Sequence, residues 1–270
     1  MHCSKGAGSA CLVRPKKFEE IICGVSSVLN CPLTIKMRKG FSEGEDIAHT
    51  FIPKVAGWGA SGVTIHGRTR EQRYSKLADW TYIKKCADIA STCDQPIQVV
   101  GNGDVYSWQQ HVAALEDENS GTPSNVATTY VARGALLKPW IFTEIKERRD
   151  WDISASERLD LVKKFARDGL EHWGSDRQGV ENCRRFLLEW LSFSYRYIPC
   201  GLLETLPQMS NWRPTSFVGR SDLETLLASP DPRDWILLSE MVLGPAPAGF
   251  SFTAKHKAVS YSKTGAQENG

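Results

Sequence analysis

The chain has 270 residues, 41% of them hydrophobic and 24% charged, which excludes a disordered or low-complexity protein and suits one large domain or two smaller ones. Its 33 basic and 31 acidic residues nearly cancel, leaving a formal charge of +2, so any nucleic-acid footprint has to be a local patch. No apolar run approaches the roughly 20 residues that span a bilayer, and eight cysteines without a CxxC pair or a signal peptide read as reduced thiols of a soluble cytoplasmic or nuclear protein.

Four short apolar runs each follow a Gly or Pro: "PLTIKM" from 32, "GVTIHG" from 62, "PIQVVGNG" from 96 and "VATTYVARG" from 126. Their Val, Ile and Thr content predicts strands buried on both faces. Helical periodicity fills the intervals, with Ile47, Phe51, Ile52 and Val55 before the second strand and Trp80, Ile83, Ala87 and Ile89 before the third. A strand every 30 residues or so, roughly, is one βα unit each time.

From Trp151 the strand signal stops. "SASERLDLVKKFARDGLEHW" opens with a capping box, Ser154 to Glu157, and continues at helical spacing through Leu159, Val162, Phe165 and Leu170. "VENCRRFLLEWLSFSYRY" predicts a second helix, and shorter ones are expected over 221–228 and 233–242. The predicted organisation is therefore α/β over 1–150, all-helical over 151–252 and a polar tail over 253–270. Four βα units fit either a small open parallel sheet or half of an eight-stranded βα barrel, and composition does not separate the two.

In both architectures ligands bind at the carboxyl ends of the strands. The first run delivers Lys36 and Arg38 there, the second His66, the third "GNGD" (101–104) and the fourth "ARG" (132–134). A lysine inside an apolar strand either reaches solvent along its stem or meets an anion or carbonyl, because an unpaired buried ammonium is costly. His66 alone could be a structural histidine. Gly101 and Gly103 would let the backbone approach a ligand closely, with Asn102 and Asp104 as polar groups. Arg133 and Gly134 lead into a helical turn, the usual place for a phosphate. Four coincident polar strand ends suggest a phosphorylated cofactor. Arg68, Arg70, Arg73 and Lys76, opposed in that stretch only by Glu71, form either a solvated basic loop or a contact to a phosphate backbone.

Together, "TIKMRKG", "VTIHGRTREQRYSKLADW", "VVGNGD" and "VARGALLKPWIFTEIKE" resemble the tRNA-dihydrouridine synthases, flavoenzymes with a βα barrel followed by a helical domain. "WDIS" and "EHWGSDRQGVENCRRFLLEWL" extend the resemblance toward the family's eukaryotic branch, over roughly residues 4 to 258. The resemblance implies FMN as cofactor, NADPH or NADH as reductant, tRNA as partner and a uridine, at position 47, as the base reduced. It implies that Lys36 and His66 contact the flavin ring and ribityl region, that Asn102, Gly103, Asp104, Ala132 and Arg133 hold the ribityl chain and phosphate, and that Arg68, Arg70, Arg73 and the helical domain face tRNA.

The family's acid cysteine lies in an "NxGCP" motif ahead of a "KGGG" or "KGAG" stretch. Here "SKGAG" occupies 4–8, so that motif falls before residue 1, and neither Cys3 nor Cys11 is placed to take its role. The expectation is thus the C-terminal half of a TIM-type barrel plus the helical domain, truncated at the N-terminus, with no catalytic acid of its own, an uncovered apolar interior and sheet edges open to self-association. Such a chain would bind FMN weakly and lack normal turnover. The alternatives are a non-catalytic tRNA-binding fragment and a flavin or phosphate-binding barrel enzyme acting on a small metabolite. Zinc catalysis ranks last, for want of a compact His and Cys set.

Overall fold

The computed structural model describes residues 6–72, 76–116, 121–203 and 214–255. They fall into two units, one built from 6–134 and 141–148, the other from 135–140 and from 149 onward.

In the first unit a 3-10 turn over Gly8–Val13 leads into α1 (Pro15–Ser26), an amphipathic helix started by its proline and buried through Phe18 and Ile22. Then follow β1 (Leu33–Gly40), α2 (Ile52–Val55), β2 (Ala60–Thr69), α3 (Trp80–Thr92), β3 (Gln98–Asn102), α4 (Trp108–Leu115) and β4 (Val126–Tyr130). Asp79 caps α3 by accepting from the Tyr82 N–H, and Ser107 caps α4 by accepting from the Gln110 N–H, the role these short polar side chains fill best. α5 (Arg133–Leu137) and α6 (Ile141–Glu147) follow β4.

All strand pairs are parallel, and the order in the sheet is β1-β2-β3-β4. An open doubly wound sheet reverses its strand order partway and carries helices on both faces; a strictly sequential order with the apolar residues on one face is an arc of a βα barrel. Ile35, Met37, Val63, Ile65, Val99 and Val126 form that face, in one core with Phe18, Ile22, Ile52, Val55, Ile83 and Ala87 of the helices. The opposite face corrects the expectation of strands buried on both sides and of an apolar interior. It carries Thr34, Lys36, Gln98 and Thr128, all exposed, with Thr64 and Val100 half-buried. Threonine suits a pleated surface while keeping its hydroxyl in water, so the arc presents a polar concave face.

The second unit contains α7 (Ala155–Trp173), α8 (Arg177–Ser194), α9 (Cys200–Leu203), α10 (Asp222–Leu227) and α11 (Pro232–Leu243). The capping box at Ser154 and Glu157 is formed in both directions. Val162, Leu187, Leu188, Leu191, Leu227, Trp235 and Leu238 make its core. Arg184 crosses that core fully buried and fully engaged: it donates to Ser239 Oγ at 2.9 Å and to the Gly244 carbonyl at 2.9 Å, and pairs with Glu181 at 3.2 Å. A buried guanidinium is tolerated on those terms. Among the described residues no helix is long and apolar enough to cross a membrane, and seven cysteines are free thiols. Of the predicted tail, 256–270 lies outside the described residues.

Candidate cofactor site

The parallel register turns four separate sequence positions into two rows on the concave face. Arg38, His66, Asn102 and Tyr130 are aligned across the four strands, and Lys36, Thr64, Val100 and Thr128 form the row below. A cavity of about 420 Å3 opens at this carboxyl edge. Lys36, His66, Asn102, Gly103, Asp104, Ala132 and Arg133 all line it, so the structure brings every expected cofactor residue to one place. A volume of this order suits a cofactor-sized ligand.

Asn102 organises the floor. Its amide donates to the Tyr130 carbonyl at 2.8 Å, which turns its oxygen toward Lys36, whose Nζ donates to it at 2.8 Å. The same ammonium stands 5.3 Å from the centre of the Tyr130 ring. Burial, and then the charge of Arg38, lower the Lys36 pKa from its ordinary value. His66 is pushed down to about 3, first by burial and then by the charges of Arg38, Lys36, Arg68 and Arg133. Four cations acting on one imidazole define a strongly positive site, suited to a phosphate. That donor set and cavity fit FMN, a flat ring system carrying one phosphate.

Tyr130 and Tyr106 also line the cavity and were not among the expected site residues, and so does Arg38, which was expected at the strand end without a role. Tyr130 carries a signal only once the register is known, since it shares a row with Asn102. Arg38 donates to the Thr69 carbonyl at 2.8 Å, tying the end of β1 to that of β2.

Two expectations are corrected. The space over the glycines of "GNGD" belongs to the protein: a Cβ on Gly101 would lie 2.3 Å from the Trp80 ring, and one on Gly103 2.4 Å from the Ala78 methyl. The Trp80 indole N–H donates to the Gly103 carbonyl at 3.0 Å, so this turn is shaped to receive the 76–80 segment. Arg68 is not a surface contact. β2 runs on to Thr69, which leaves Arg68 inside the strand and only 1% exposed. Its guanidinium donates to the Lys76 carbonyl at 2.6 Å, pairs with Asp104, and meets His66 Nε2 at 3.2 Å. Asp104 in turn accepts from the Ala78 N–H at 2.8 Å.

The basic loop shrinks accordingly. Lys76 is exposed but pairs with Glu43, and Arg70 is exposed with its guanidinium 5.3 Å from the Phe41 ring. Arg73 lies outside the described residues.

A model of the dihydrouridine synthase (Dus) family matches residues 2–187. The chain is 56% identical over 257 residues to the tRNA-dihydrouridine(47) synthase NAD(P)(+)-like protein of Xenopus tropicalis, covering 95% of this chain and 38% of that protein. It is 54% identical over 257 residues to the human protein of the same name, covering 95% and 38%, and 52% identical over 270 residues to that of Oryza sativa subsp. japonica, covering 99% and 37%. The chain thus spans under two fifths of the length of these relatives.

Proposed function

Because the chain belongs to the dihydrouridine synthase family, we propose that it provides the FMN-binding strand ends of an enzyme that reduces a uridine of tRNA, at position 47 as in its relatives' names, with NADPH or NADH as reductant. One observation carries this reading. Lys36, His66, Asn102 and Arg133, spread over nearly 100 residues of chain (Lys36 to Arg133), converge on one cationic cavity at the carboxyl edge of a barrel arc.

Bound FMN supplies the hydride for C6 of the uracil ring. The chain's own residues bind and orient. Arg133 and the backbone of Ala132 and Gly103 take the phosphate and ribityl end, where the positive potential is useful. Lys36, held against Asn102 Oδ1, would direct its remaining N–H donors to the flavin ring and offset charge that builds up there on reduction. Asp104, which lines the cavity, also pairs with Arg68. No cysteine described here is assigned as the proton donor to C5. Arg70, Arg73 and the helical unit are the parts of this chain that face tRNA in this reading.

The test is titration of FMN into the purified chain, followed by flavin fluorescence and by the visible band retained on gel filtration. Saturable binding to a monodisperse species, weakened tenfold or more by Arg133→Ala, is expected. Absence of binding by a folded, monodisperse chain would overturn the reading.

A further inference from the structure

Arg68 is a full positive charge only 1% exposed, beside an imidazole that lines the cavity. Each of its three nitrogens has a partner: Nε donates to the Lys76 carbonyl, Nη2 to Asp104, and Nη1 to His66 Nε2. The last contact has only one chemical meaning. A guanidinium nitrogen donates and cannot accept, so His66 Nε2 must be the acceptor and carry no proton. A neutral imidazole deprotonated at Nε2 keeps its proton on Nδ1.

The geometry leaves little freedom to escape this. Gly103 packs against the same edge of the ring, with a Cβ there 3.3 Å from His66 Cδ2 and 3.5 Å from Arg68 Nη1. Asp104, which could have been the counter-ion of an imidazolium, is committed to Arg68 and to the Ala78 N–H. The other charges that act on His66 are cations: Arg38 and Lys36 from β1 and Arg133 from the start of α5.

We propose that Arg68 is a positioning residue that fixes His66 as the neutral Nδ1–H form, so that His66 enters the cavity as a hydrogen-bonding group and never as the acid that protonates the reduced uracil. Arg68 and Asp104 form a clamp behind the cavity wall, and the clamp sets the chemistry of a residue that the ligand meets. Only the identity of the ligand rests on the flavin reading; the state of His66 does not.

The experiment is a long-range proton–nitrogen correlation spectrum of the chain labelled with 15N at histidine, without ligand, from pH 8 down to 5. His66 should show a protonated Nδ1 and a bare Nε2, unchanged across that range. A proton on Nε2, or an imidazolium forming near pH 6, would overturn the proposal in the native chain, whether or not any variant folds. In Arg68→Met the donor to Nε2 is gone, so His66 should no longer hold the single Nδ1–H pattern, while Arg68→Lys, which lacks the planar fork, should restore the charge but not the pattern. FMN affinity gives a second reading. The Arg68→Met chain should bind several-fold more weakly than the native chain at pH 8. Unchanged affinity together with an unchanged histidine pattern would mean that Arg68 is only structural. Failure of both chains to bind FMN would count against the flavin reading and leave the spectrum to decide the clamp.

Discussion

Gly103→Ala tests whether the turn after β3 is fixed by the segment packed on it. Gly103 has φ 132°, where a side chain is strained by roughly 1–3 kcal/mol. The added methyl would also lie 2.4 Å from the Ala78 methyl, and neither is the end of a flexible side chain, so the 76–80 segment or the turn has to move. Overpacking of this kind costs about 1–3 kcal/mol more. The control is Gly44→Ala, at φ 85° with no atom within 4 Å of the new methyl, which carries the backbone strain alone. In urea unfolding Gly103→Ala should lose about 2–6 kcal/mol, and at least about 1 kcal/mol more than Gly44→Ala. FMN affinity should fall with it, because Trp80 and Arg68 are anchored to this turn. Equal losses from the two variants would refute the packing argument, and a loss of FMN binding with native stability would mean that Gly103 is reserved for the ligand after all.

Asp104→Ala leaves the buried Arg68 charge without its counter-ion and should destabilise the chain by about 3–5 kcal/mol in the same unfolding assay. Lys36→Met removes the ammonium and strands the Asn102 oxygen; FMN affinity should fall tenfold or more, about 1.4 kcal/mol, in a fluorescence titration. In the helical unit, hydrogen bonds from Arg220 hold the carboxyls of Asp152 and Glu224 below their ordinary range. That contribution is present above the unfolded values of 3.8 and 4.5 and is lost as pH falls through the lower folded ones, so the stability gap between native and Arg220→Gln chains should be open at neutral pH and closed in strong acid. Ser154→Ala removes the side-chain arm of the capping box, leaving the backbone N–H of residue 154 on Glu157, and should cost about 1 kcal/mol by thermal melting.

What the sequence made legible follows from which forces are local. The capping box at Ser154, the helical spacing of Trp80, Ile83 and Ala87, and the four strands are written in adjacent residues, and they stand in the structure where the pattern puts them. Strand-end chemistry was legible at one remove, since parallel strands share a carboxyl edge whatever their order, and Lys36, His66, Asn102 and Arg133 meet there. Register was not. Only pairing places Tyr130 beside Asn102 and Arg38 beside His66, and no spacing along one strand contains that information.

Arg68 shows the deepest limit. A guanidinium two residues past the end of an apolar run reads as a loop cation seeking phosphate, and nothing nearby contradicts this, because its counter-ion is Asp104, 36 residues on. Residue type and neighbourhood identify a charge that must be answered; they do not say by what. Once β2 is seen to run on to Thr69, the same charge is enclosed and answered by the protein, and its effect passes to His66. The cation expected to grip a nucleic acid instead decides which protons the cofactor site holds, and that reassignment follows from two further strand residues and one buried carboxylate.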